Sequence, residues 1–415
     1  TGGGAIPQIT GGGTVVVPYV EVPTKELSWT AGGGADESVA TADNWQEGFV
    51  PSDLKARSLQ AHFGLAGTQA VFAASAAFKG LRFGLPASAD DKSFALSGNP
   101  GAVLSLHGLG IAVDAPTDDA TYRYTVNLPL AIRENATWAV PSAQTALEIR
   151  GTLSGEGNVV KTGKGGLDLH GVTPAFTGGL EVRGGLDSCT VQFPSGTTNV
   201  LVGPFRFATA EGAQDFGYFN VASDALLVTS NSVYGKNVYK QGGGTWVCRG
   251  PFGIYYFGVS SGKVVLDGFE IVRAKTRGLN ADMGTGCQFH LINCRIAGCG
   301  TTVGLNYSEG GRGLWVHNAY AAKGTLVCSN CVFEGNAAAT DTPYMGMAAV
   351  LVSVQNKATF TDCLFATNGV AWSYPIGKKT MNTASGGAAL FCDNAKLYNC
   401  TVVDNPVNVV AEKTA

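Results

Sequence analysis

The 415-residue chain carries 28 basic and 31 acidic residues, a net charge of −3, and only 14% of it is charged, against roughly 25% in ordinary soluble domains. The absence of any block of like charge argues against a nucleic-acid partner, and no apolar run approaches the roughly 18 residues of a membrane-spanning helix. Glycine, at 58 residues, is about twice as frequent as usual, which favours one long, turn-rich, repetitive fold over several compact domains.

Thr1 begins directly in Gly-rich sequence without the charged and apolar regions of a signal peptide, so an export segment, if encoded, is expected to have been removed. Residues 1–25 hold two glycine triplets around Ile6-Pro7-Gln8-Ile9 and then a β-branched run. That run, with Val15, Val16, Val17, Tyr19 and Val20, reads as one extended strand on flexible tethers.

From Leu27 to about Val140, short alternating segments are punctuated by Gly, Pro, Asn and Asp, as in Val103-Leu104-Ser105-Leu106-His107-Gly108. No helical period survives three turns, so the segments are expected to be strands. Leu27-Ser28-Trp29-Thr30, Asn44-Trp45 and Val50-Pro51 resemble the opening of autotransporter-associated β-strand repeat proteins.

Residues 153–186, LSGEGNVVKTGKGGLDLHGVTPAFTGGLEVRGGL, resemble the passenger-associated transport repeat nearly position for position, and the pattern recurs in part from Tyr239 to Gly250. Val159, Leu167, Leu169, Leu180 and Val182 alternate with polar neighbours, as strands with one buried face require, and glycines stand where corners are expected.

Between Gly262 and Asn405 an internal repeat is visible: FHLINCRIAGC (289–299), LVCSNCVFEGN (326–336), ATFTDCLFATN (358–368) and AKLYNCTVVDN (395–405), with a weaker copy around Gly268. Its cysteines recur at steps of 37, 32 and 37 residues, which indicates solenoid coils with loops of variable length. Phe333 to Asn336, Phe365 to Asn368 and Gly386-Gly387-Ala388-Ala389-Leu390 also resemble the FxxN and GGA(I/L/V) repeats of polymorphic outer-membrane proteins.

These resemblances imply an all-β, right-handed parallel β-helix. Residues 1–25 would form an N-terminal tether, 26–250 a solenoid of autotransporter-associated repeats, and 251–415 a continuous solenoid of Cys/Asn repeats. Equivalent residues in such a fold stack at about 4.8 Å. Cys294, Cys331, Cys363 and Cys400 are expected to form an inward ladder, and Asn336, Asn368 and Asn405 a second ladder at a turn, with Cys299 in the equivalent place of the earlier coil.

Ten cysteines are present, nine of them from Cys248 onward. The Cys328–Cys331 gap suits a zinc half-site, but no second half exists, so neither metal nor cofactor is expected. The ladder thiols are expected to stay reduced, because in-register strands carry their Cβ vectors side by side. Cys287, Cys299, Cys328 and Cys392 remain candidates for disulfides.

No catalytic residues are assigned. Asp267 and Asp362 take the same repeat position three rungs, about 14 Å, apart, beyond the roughly 5–9.5 Å of glycosidase carboxyl pairs. Asp90-Asp91 and Asp118-Asp119 read as solvated turns, no Arg or Lys sits beside an acid cluster, and the five histidines are scattered. Gly310-Gly311-Arg312-Gly313 and Gly242 to Gly244 lack the helix of a phosphate loop and read as turns. The sequons at Asn135, Asn306 and Asn399 are read as fortuitous, Asn399 lying in a repeat strand.

An open stack of coils exposes apolar core and unpaired backbone at each end. Beyond Asn405 the strand-like Val407, Val409 and Val410 offer no cap, and the Thr14–Val20 strand has no partner in its own repeat. That strand either pairs with a second copy, generating a head-to-tail fibre, or folds back on its own solenoid. The expected function is therefore a non-enzymatic, secreted filament subunit at the surface of a bacterium with an outer membrane. An adhesin-type passenger or stalk binding surface glycans is the alternative, and a polysaccharide-degrading β-helix enzyme a further one.

Overall fold

The computed structural model describes residues 25–31, 38–46, 59–63, 67–85, 92–184, 190–209, 216–274, 278–299, 313–317, 323–340, 350–352, 356–375, 389–392, 394–405 and 407–412. Val15, Val16, Val17, Tyr19 and Val20 lie outside the described residues. Among the described residues the only helical turn is the 3-10 segment Ala42–Asn44, and strands make up most of the rest.

The strands stack in parallel, coil upon coil. One run of rungs is Leu59–Phe63, Ala76–Phe83 and Leu104–Val113. A second is Gln69–Phe72, Ser93–Gly98, Tyr122–Val126, Thr145–Ile149 and Gly166–Leu169, each paired with the next. Both belong to one 24-stranded sheet, and its ladder continues across residue 250, where Val233–Gln241 pairs with Phe252–Val259. An eight-stranded sheet runs from Thr198–Leu201 to Asn394–Tyr398, and a five-stranded sheet from Glu270–Val272 to Thr401–Val403. The result is an all-β solenoid of parallel sheets.

Side chains alternate between core and surface, as in Thr198–Leu201 and Thr325–Ser329. Because equivalent positions repeat at each rung, like side chains meet along the axis. Phe333 stacks on its rung partner Phe365 at 5.1 Å between ring centroids, and across the core Phe83 packs on Tyr124 at 5.1 Å. Each fully buried ring contributes roughly 2–3 kcal/mol.

Two corners repeat in the Cys/Asn coils, each built on left-handed backbone. Gly268, Asn293, Asn330, Asp362 and Asn399 form the first, with φ from +50° to +73°. Asn and Asp are the side-chain-bearing residues that enter this region most readily. The backbone N–H of Gly268 donates to Ile292 O, that of Asn293 to Ser329 O, and so on up the stack. This register corrects two readings. Gly268, not Asp267, is the equivalent of Asp362, since Asp267 pairs with Ile292 one residue earlier. Asn399 occupies an exposed corner rather than a strand, and its Nδ2 donates to Asp362 Oδ1.

Candidate functional site

The second corner is formed by Arg273, Gly298, Gly335, Thr367 and Asp404, with φ from +50° to +61°. The residue after each corner turns inward, which places Cys299, Asn336, Asn368 and Asn405 in one column. Asn336 Oδ1 accepts from the backbone N–H of Cys299 at 3.1 Å, Asn368 Oδ1 from that of Asn336 at 3.1 Å, and Asn405 Oδ1 from that of Asn368 at 3.1 Å. The amide nitrogens complete the column by donating to Ile296 O, Phe333 O and Phe365 O. Asn336 and Asn368 are fully buried, so this chain replaces the water that their backbone groups would otherwise need.

Cys294, Cys331, Cys363 and Cys400 follow the first corner and stack one rung apart, as shown by the bonds from Val332 N to Cys294 O, Leu364 N to Cys331 O and Thr401 N to Cys363 O. The first three are buried and Cys400 is half-buried. Each thiol donates to backbone carbonyls, for example Cys294 to Ile292 O at 3.1 Å and Cys331 to Ser329 O at 3.3 Å. The neighbouring Cys331 thiol lowers the Cys294 pKa and raises that of Cys363, while burial raises Cys328 well above the ordinary thiol range. Cys287, Cys299 and Cys328 are unbridged, contrary to the expected pairing, because each sits in the core with its sulfur directed at its own packing neighbours. Cys287 donates to Val259 O at 3.1 Å and Cys299 to Ala297 O at 3.5 Å.

Two lysines that the sequence reading passed over are fully buried beside the glycine turns at Gly163 and Gly242. Lys161 Nζ donates to Gly163 O at 2.6 Å and Gly165 O at 2.5 Å, and Lys240 Nζ to Gly242 O at 2.5 Å and Ser261 O at 2.9 Å. Burial pulls the Lys240 pKa down to about 8. The signal was present in the sequence as Val159-Val160-Lys161-Thr162-Gly163 against Val238-Tyr239-Lys240-Gln241-Gly242.

An acid cluster flanked by arginines, absent from the sequence reading, lies on the outer face of the 24-stranded sheet. Glu148 pairs with Asp168 one rung on, about 5 Å away and near the spacing of a retaining glycosidase pair. Access decides against that chemistry. Glu148 is only 2% exposed, Arg123 holds its Oε1, and Arg150 donates to its Oε2 from Nε at 2.9 Å. Burial raises the Asp168 carboxyl pKa and lowers that of His170 beside it. A carboxylate locked by two guanidiniums braces two coils and has no oxygen left for a substrate. Leu147-Glu148-Ile149-Arg150-Gly151 and Leu167-Asp168-Leu169-His170-Gly171, 20 residues apart, are the repeat that could have revealed it.

The two ends of the described solenoid differ. At the first coil, Trp29 meets Trp45 edge to face at 5.5 Å, both pack on Phe63, and the Trp45 indole N–H donates to Val39 O at 3.0 Å. Trp29 and Trp45 are buried, so the turn at 38–46 covers that end. At the last coil, Leu397 stacks on Phe360 and Val402 on Phe365, yet Leu397 is 43% and Val402 54% exposed. Val407, Val409 and Val410 lie in Val407–Glu412, which pairs with Gly369–Pro375. No protein-family model, curated protein or solved structure matches the chain. Among the described residues no group of His, Cys, Asp and Glu side chains has the arrangement of a metal site.

Proposed function

We propose that the chain is a non-enzymatic structural protein, secreted to a bacterial cell surface, whose copies join head to tail as right-handed β-helices of the autotransporter-associated type. The observation that carries the reading is the last coil. Leu397 and Val402 continue core columns but are exposed at the last described rung. Asn394–Tyr398 and Thr401–Val403 pair along one edge only among the described residues. The opposite edge presents backbone groups ready for a further parallel strand.

The Thr14–Val20 segment of a second copy is the partner in this reading. Its β-branched and aromatic residues Val15, Val16, Val17, Tyr19 and Val20 suit an extended strand. The two surfaces differ, so the contact is heterologous and propagates without closing. Supporting the wider assignment are the glycine turns held by Lys161 and Lys240 and the Asn column, both within the segments that carry the family resemblance.

Size-exclusion chromatography and negative-stain microscopy of the 415-residue chain test the proposal. The chain is expected to form fibres or large oligomers, and the Leu397→Asp, Val402→Asp double variant and a form without residues 1–25 are expected to run as folded monomers. Monomeric behaviour of all three forms, or fibres from all three, would overturn it.

A further inference from the structure

The corner where the turns at Asn135, Asn158 and Pro204 lead into strands of the 24-stranded sheet holds a cleft of about 340 Å³, lined also by Val160, Glu181 and Arg206 among others. We infer that this cleft, together with the exposed ring of Tyr234, binds a pyranose oligosaccharide along the solenoid axis. This inference stands independently of end-to-end assembly.

Four features support it. First, Val160, Glu181, Arg206, Tyr234 and Gly253 occupy one outward column on five successive rungs. At about 4.8 Å per rung the column is about 19 Å long, enough for three or four sugar rings. Second, planar polar groups line one part of it. Asn158 Nδ2 donates to Asn135 Oδ1 at 2.9 Å, and Asn158 Oδ1 accepts from Gly179 N at 2.7 Å, which fixes both amides while each residue remains exposed. Glu181, whose Oε1 accepts from Arg183 Nε at 2.5 Å, and Arg206 are backbone register partners one rung apart beside them.

Third, the other part carries an exposed aromatic ring beside a guanidinium. Tyr234 is 42% exposed, and its ring lies against Gly253, where a Cβ would come within 2.4 Å of Cδ1. The Arg206 guanidinium carbon is 5.8 Å from the ring centroid. Fixed planar polar groups beside an amphipathic ring match a pyranose, with its apolar CH face and its rim of hydroxyls. Fourth, other polymers fit poorly. The strands beneath the column pair on both edges, leaving no backbone edge for a peptide strand to join, and Glu181 beside Arg206 opposes a polyphosphate.

The test is calorimetric titration of the full chain with cellohexaose, maltohexaose, chitohexaose and oligogalacturonate. At least one is expected to bind, with Tyr234→Ala and Arg206→Ala each weakening it about tenfold or more and Tyr398→Ala, at the last coil, leaving it unchanged. Uronate binding lost selectively in Arg206→Ala would place the sugar carboxylate on that guanidinium, and neutral binding lost mainly in Tyr234→Ala would place the ring contact first; both support the site. Circular dichroism checks that the variants fold, as outer-face truncations should. Absence of binding by all four probes at about 10 mM, or binding that neither cleft variant weakens, would overturn it.

Discussion

Asn336 Nδ2 lies 3.0 Å from Asn368 Oδ1 in the next coil, and neither residue has exposed surface. Asn368 Nδ2 stands in the same relation to Asn405 Oδ1 at 2.8 Å. Each amide nitrogen therefore donates to the coils on both sides while its oxygen accepts from the preceding one, so a missing member leaves buried groups without partners.

Replacing Asn368 by Ala removes acceptor contacts to Asn336 N and Nδ2 and donor contacts to Phe333 O and Asn405 Oδ1. Left-over buried groups at about 1–3 kcal/mol each set an expected loss of roughly 3–5 kcal/mol. Native-state hydrogen exchange should show faster opening at Asn336 and Gly369 with little change around Trp138. Uniform protection would show that the column contributes no more than its backbone ladder.

Lys240 makes stability rise with alkaline pH. Its folded pKa of about 8 lies below the ordinary value of 10.5, so between these values the unfolded chain binds more protons than the folded one. The burden is fully present below about pH 8 and is relieved as pH climbs toward 10.5, by an amount of order 3 kcal/mol. Denaturant titrations across pH 7.5 to 10.5 should show this slope in wild type and a flatter one in Lys240→Met. Equal slopes would remove Lys240 as the source.

Glycine contacts separate two kinds of substitution. A Cβ at Gly178 would sit 2.1 Å from Gly157 O, a backbone atom that cannot move aside, whereas at Gly196 it meets nothing within 4 Å despite φ of +72°. Gly196→Ala is expected to cost about 1–2 kcal/mol of left-handed strain. Gly178→Ala is expected to cost more than that or to prevent soluble expression, because coils must separate to admit the methyl group. Thermal denaturation of both variants compares them directly.

Thiol reactivity should follow depth. Pulsed iodoacetamide labelling with peptide mapping is expected to modify Cys392 and Cys400, both half-buried, well before Cys294, Cys328 and Cys363. Burial raises the Cys328 pKa, and the Cys331 neighbour together with burial raises that of Cys363, so both thiols stay protonated as well as shielded. Early labelling of Cys328 would show that the coils around it open.

The repeated Cys and Asn positions were legible because a solenoid imposes one requirement, an inward side chain after each corner, on every coil, and FxxN at 333–336 and 365–368 records it directly. Other relationships were only partly legible. The one-residue difference between Asp267 and Gly268 depends on which backbone turns left-handed, and Gly, Asn and Asp all satisfy that need. The brace of Arg123, Arg150 and Glu148, with Asp168 on the next rung, takes its residues from three coils.

By itself, then, the sequence determined that the chain is built of short strands with one buried face and recurring corner residues, since alternation and repetition are local properties of the polypeptide. Tertiary structure alone decided which outward side chains become neighbours. Coil lengths differ, so that Glu148 meets Asp168 after 20 residues and Asp168 meets Gln192 after 24. Backbone hydrogen bonding fixes that register, and it alone assembles the cleft column from Val160 to Tyr234 and leaves Leu397 and Val402 uncovered at the last described rung.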